Sequence, residues 1–397
     1  MLAALAAPKG GGAGGNGPPR GRPKAARAFV SFPRPGATDM LYREAGQFKT
    51  TYAADTAMFP ILQDRIGFVA LLLVAFVAVP ILASPYLFSA ILIPFLILSL
   101  AAIGLNILTG YAGQLSLGAA AFMAVGAFAS YNFVLRIPGI PLLLAFAGGG
   151  VMAAAVGLVF GLPSLRIRGF YLAVATLAAQ FFILWALTKI GWFTNYNASG
   201  VITAQQIVIL GRAFDTPQEK YLLVLAIVTA MAFAAKNMGR GNIGRQWMAI
   251  RDMDVAAEVI GIRPMRAKLL AFAVSSFYCG VAGALFAYAY LGTVEPEAYN
   301  LDLSFRILFM IIIGGVGTVL GSFLGSAFIV ILPIALNMLV TWLDGTLHLN
   351  VASSAASNVE LMVFGGLIIF FLIVEPHGLA RIWQIAKEKL RLWPFPH

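Results

Sequence analysis

Charge is scarce in this chain. Only 11% of its 397 residues are Asp, Glu, Lys or Arg, against about a quarter in ordinary soluble domains. A soluble globule of this length would need a more charged surface, so that class is excluded. Cysteine is scarcer still. Cys279 stands alone, so no internal disulfide can form. The three histidines, His348, His377 and His397, have no ligand spacing, which removes the usual zinc frameworks. The dipeptide Gly-Lys never occurs, so the chain has no phosphate-binding P-loop. These absences leave too few positioned nucleophiles, bases or metal ligands for an enzyme. Carboxylates are missing inside every long apolar run, with Glu360 and Glu375 only at the ends of the last. Proton-coupled carriers usually need such a group within the membrane. A sodium-coupled carrier using backbone carbonyls at a broken helix stays open.

What the chain has is apolar sequence, 60% of the total, arranged in long runs. They predict membrane spans at 66–84, 88–108, 115–135, 141–162, 170–190, 221–236, 267–290, 305–316, 318–341 and 360–375. The expected fold class is an all-α polytopic transmembrane protein with about ten membrane helices. Eight or nine remain open if a glycine-rich segment is re-entrant.

Net charge is +11 and is confined to three places. Residues 1–60 carry +5, residues 236–268 carry +4 and residues 375–397 carry +2. Ten crossings bring all three to one side. This fits the positive-inside rule with both termini cytoplasmic, and it fits a nucleic-acid surface poorly. Residues 1–60 are rich in Gly, Pro and Arg and read as a disordered basic tail. Residues 61–380 form the membrane domain, with a cytoplasmic segment at 240–265. Residues 381–397 form a basic C-terminal helix or tail.

Two stretches interrupt the apolar pattern. GYAGQLSLG at 110–118 and GGVGTVLG at 314–321 each separate two runs, a weak internal echo. Glycine allows either close helix packing or a break in the helix. A break would expose N–H groups that could meet an anionic solute, and Gln114 and Ser116 would add polar side chains there. Other polar residues inside spans include Asn106, Tyr171, Thr176 and Gln180. Thr176 and Gln180 share a helical face. Each suits a helix–helix hydrogen bond or a solute path. From Ile243 to Ile262, Trp247, Ile250, Val255 and Val259 recur at roughly helical spacing among charges. Gly261 suits a helix end and Pro264 stops continuation. Short amphipathic helices outside the membrane are expected, as a solvated loop or as a docking surface.

Five stretches, NILTGYAGQLSLGAAAF, IGRQWMAIRDMDVAAEVIGI, KLLAFAVSSFYCGVAGAL, IIIGGVGTVLGSFLGS and EPHGL, occur in an order that resembles the LivM-type permease of branched-chain amino acid ABC importers. The resemblance spans roughly residues 66–380. It implies a permease subunit of an ATP-driven importer in a bacterial cytoplasmic membrane. Its partners would be a homologous second permease, two cytoplasmic ABC ATPases and an extracytoplasmic substrate-binding protein. ATP and magnesium would be used by the ATPase, with no cofactor on this chain. The segment DVAAEVIG resembles an ATPase-coupling loop. On that basis Ala256 and Ala257 permit tight docking, Gly261 permits the turn, and Arg245, Arg251, Asp252 and Glu258 make polar contacts. Gln114, Ser116, Tyr171, Thr176 and Gln180 are the solute-path candidates. Two departures matter. Ala119 stands where the family often has histidine, and NYNASGVIT at 195–203 replaces a TGG-type motif. Relatives of this type also serve urea, short amides and aromatic or aliphatic acids.

Overall fold

The computed structural model describes residues 62–162, 169–197, 200–209, 212–347 and 378–392, with most positions from 362 to 373. The tail at 1–60, the three histidines and the ends of the expected span at 360–375 lie outside the described residues. The chain is helical, with eight helices long and apolar enough to cross a membrane among the described residues. In chain order the elements are α1 (Arg65–Leu82), α2 (Pro85–Tyr111) and α3 (Ala119–Arg136). Then come α4 (Leu142–Gly161), α5 (Phe170–Lys189) and α6 (Pro217–Arg240). Next are α7 (Asn242–Val259), α8 (Pro264–Leu291) and α9 (Leu301–Gly314). The last two are α10 (Val319–Leu347) and α11 (Gly378–Leu392). Helix α9, with 14 residues, is about 21 Å long and too short to cross alone. It corresponds to the short helix expected at 305–316.

Helix α2 is the central element. Every side chain from Leu96 to Leu108 is buried, as expected for a helix apolar on all sides. It packs against α6, α8, α9 and α10. A second group is formed by α3, α4 and α8. Its helices cross at small residues, where a side chain on Gly126 would strike the Gly280 backbone. Without a strong apolar driving force between helices in lipid, such close approach supplies the dispersion contact. Cys279 is buried between α8 and α2, its sulfur 3.9 Å from the Ala101 carbonyl. Helix α1 is peripheral and meets α6 through Phe68 and Phe233, whose rings are 5.2 Å apart.

The two ends of the bundle differ. At one end the loops after α3, α5 and α8 converge. β1 (Ile202–Thr203) pairs antiparallel with β4 (Thr293–Val294). β2 (Val208–Ile209) pairs with β3 (Arg212–Ala213). Arg136 donates to the Trp192 carbonyl at 2.8 Å, and its guanidinium lies 3.8 Å from the indole centroid. At the other end lie the two glycine interruptions, the basic segment carrying α7 and the start of α11. Contacts join them: Gly239 to Tyr111, Gly110 to Gly317 and Gly378 to Gly315. Of the basic segments that charge parity assigned to one side, 236–268 and the start of α11 fall on described residues and share this end.

Candidate solute path and coupling segment

GYAGQLSLG is a broken helix. Helix α2 widens into a π turn at Ile107–Tyr111 and stops. Helicity resumes only at Ala119. Gly113 turns the chain at φ +68°, a conformation that a side chain disfavours. Of the residues between, Gln114 and Ser116 are folded inward, 5% and 1% exposed.

Side chains from two other helices satisfy the inner end of the break. Thr176 accepts from the Leu117 N–H at 2.9 Å. Gln180 Oε1 accepts from Ala121 N–H at 2.8 Å, and Ser304 Oγ from Ala120 N–H at 3.0 Å. Ser116 Oγ accepts from Gly118 N–H at 3.3 Å. The orphan donors of a helix start are therefore largely capped by protein. They do not form the open anion site that a bare break would offer. The Gln180 amide nitrogen donates to the Tyr299 carbonyl at 2.8 Å, and Tyr299 in turn donates to the Gly283 carbonyl at 3.1 Å. Gln180 lies at the middle of the 20-residue α5, about 15 Å from either end. The start of α3 after the break and the short 3-10 turn Pro296–Tyr299 thus enter from opposite ends and meet at mid-depth on α5. Irregular backbone at such depth is tolerated only where protein or a cavity satisfies it.

The outer end of the break is tied to the second glycine interruption. Asn106 donates to the Thr318 carbonyl at 2.8 Å and to Ser322 Oγ at 3.0 Å. Its carbonyl accepts from Gly317 N–H at 2.7 Å. The echo between 110–118 and 314–321 is therefore a physical contact. Arg251 reaches the same point. Its guanidinium donates to the Gly110 carbonyl at 2.8 Å and pairs with Asp252 at 2.9 Å. The aliphatic stem of Arg251 packs on Gly113, where an added Cβ would come within 2.7 Å of it.

Arg251 lies on α7, which is two helical pieces joined at Met253, with φ −160° and ψ 93°. The kink separates the apolar positions that spacing placed on one stripe. Trp247 and Ile250 face inward, with the Trp247 indole N–H on the Ala267 carbonyl at 2.9 Å. Met253, Val255, Val259 and Ile260 are 64–83% exposed. Gly261 closes the helix at φ +90°, and the Ile262 N–H bonds back to the Ala257 carbonyl at 3.0 Å, a Schellman-type end. Pro264 opens α8 rather than merely ending α7.

The structure brings Ser116, Thr176 and Gln180 together, with Gln114 beside them in the break. Tyr171 is elsewhere, 76% exposed on α5. Both polar atoms of the Gln114 amide are buried without a hydrogen-bond partner among the described residues. In the segment expected to couple, Arg245, Asp252, Ala256, Glu258 and Gly261 are exposed, whereas Ala257 is buried and Arg251 points back to the break. The sequence reading does not single out Ser304, Thr318 or Ser322. A lone serine or threonine in an apolar run carries no period or charge signal. Among the described residues no cluster of His, Cys, Asp or Glu could hold a metal ion.

A family model described as the permease component of branched-chain amino acid transport systems matches residues 87–372. The high-affinity branched-chain amino acid permease protein LivM of Escherichia coli is 30% identical over 300 residues, 70% of this chain and 66% of that one. The chain thus spans just under two thirds of that relative. A probable branched-chain amino acid permease LivM of Methanocaldococcus jannaschii is 23% identical, covering 60% and 68% of the two chains. An autoinducer 2 import permease, LsrC of Klebsiella pneumoniae, is 32% identical over a shorter stretch, 27% and 31%. No solved structure matches. The broken helix, the kinked segment beside it and a family match across most of the membrane helices converge: the chain belongs to the permease family of branched-chain amino acid transport systems.

Proposed function

We propose that this chain is the permease subunit of an ATP-driven importer that carries branched-chain amino acids or related small carboxylates or amides into the cytoplasm. The observation that carries the reading is the Arg251 link between the kinked segment and the broken helix. A docking protein that moves the exposed face of α7 would pull on the Gly110 carbonyl and on the stem seated against Gly113. In this reading the partner is a cytoplasmic ATPase that hydrolyses magnesium-bound ATP, while this chain is not an enzyme. Glu258, Asp252, Arg245 and Ala256 form the docking face. A homologous second permease completes the pore, and an extracytoplasmic binding protein delivers the solute. The basic end faces the cytoplasm of a bacterial inner membrane, with both termini on that side. Gln114 and Ser116 line the path. Thr176 and Gln180 hold its wall, and Tyr171 faces outward to lipid or the second subunit.

The test is uptake of labelled leucine, urea and benzoate into proteoliposomes holding the full assembly, with ATP supplied on the ATPase side. Uptake of leucine that requires ATP is the expected result. Uptake that needs no ATP and follows an ion gradient would replace the importer with a secondary carrier.

A further inference from the structure

Helix α11 is amphipathic, and its first turn is held by the bundle. Gly378 and Ala380 are buried, with Gly378 packed against the Gly315 nitrogen and the Ile313 carbonyl at the end of α9. Helical spacing places Leu379, Ile382, Trp383 and Ala386 on one face. Beyond the first turn that face is open: Ile382 is 46% and Trp383 55% exposed. Lys387 and Lys389 fall at the two borders of the stripe. The helix carries four basic residues against Glu388 alone, a net +3.

We propose that α11 lies along the membrane surface as an anchor for anionic lipid, and that it thereby braces the second glycine break. Three observations agree on this occupant. The helix leaves the bundle at the end of α9, where the apolar spans give way to the basic segments. Its open face combines isoleucine and tryptophan, and tryptophan suits the headgroup boundary. Lys389, exposed at the border of that face, can extend its charged tip to lipid phosphates while its stem lies on acyl chains. Because Gly378 touches Gly315, tension on α11 reaches the junction of α9 and α10 directly.

The experiment uses the full chain in lipid nanodiscs whose acyl chains are brominated near the headgroup, with phosphatidylglycerol varied from none to about 40%. The difference in emission between the protein and its Trp383→Phe variant isolates Trp383 from the other five tryptophans. The expected result is at least a twofold quenching of that difference signal by brominated lipid, deepening as phosphatidylglycerol rises. Lys389→Gln should weaken the dependence on phosphatidylglycerol at least twofold, with no change in chromatographic behaviour. An unquenched difference signal would overturn the proposal. So would quenching that vanishes when the ATPase is added at saturation, because the face would then belong to a protein partner. Neither readout requires transport, so the proposal and the importer reading can fail separately.

Discussion

Replacing Gln114 with leucine keeps its bulk and removes an amide whose two polar atoms are buried without a partner among the described residues. An unsatisfied buried polar group costs about 1–3 kcal/mol. Gln114→Leu should therefore leave thermal stability in detergent unchanged or raise it, while uptake by the assembled transporter falls at least tenfold. Equal uptake by both proteins would make Gln114 a space filler. Arg251 tests the link to α7. Arg251→Ala strips the Gly110 carbonyl of its donor. ATPase binding should survive, with hydrolysis no longer tied to uptake, as read from the ATP-to-leucine ratio. Lysine cannot fork between the Gly110 carbonyl and Asp252, so Arg251→Lys should restore coupling only in part. Gly110→Ala would drive a methyl group into Gly317 and Asn106. Overpacking of this kind costs about 1–3 kcal/mol, and should appear as a lowered melting temperature.

Among the helices, α7 carries the most direct test. Val259 is 83% exposed, so Val259→Asp should leave the fold intact and abolish copurification of the ATPase. Retained copurification would move the docking face elsewhere. The helix itself was legible from the spacing of Trp247 and Ile250, and its end from Gly261. The kink was not, because nothing in DMDVAA marks Met253 as the residue that leaves helical geometry. Helix starts were misplaced by a few residues for a physical reason. Asn300 caps α9 by accepting from Leu303 N–H at 3.1 Å, and Thr216 caps α6 at Glu219 N–H, 3.3 Å away. Both caps add a polar first turn that hydropathy alone trims. The break in α2 was legible as glycine and polar residues inside an apolar run. Its closure was not, because Ser304 and Gln180 come from helices about 60 to 190 residues away in the chain. Contacts at that separation belong to the packing of the bundle.

For the whole molecule, eight long helices, the short α9 and a partly described stretch between 362 and 373 agree with about ten helices expected from the apolar runs. The direction proposed for the bundle in its membrane rests on the distribution of charge. Cys279 makes a test of it simple. Its sulfur is sealed between α2 and α8, so a reagent that modifies thiols from water should find almost nothing to react with in the native protein. Cysteines placed one at a time, at Thr203 for one end and Val255 for the other, then report without a background signal. In intact cells an impermeant maleimide should label Thr203→Cys and spare Val255→Cys. The opposite pattern would invert the protein in its membrane, and with it the direction of transport proposed above. A single sealed thiol thus leaves the chain nearly silent to maleimides, ready for mapping its faces residue by residue.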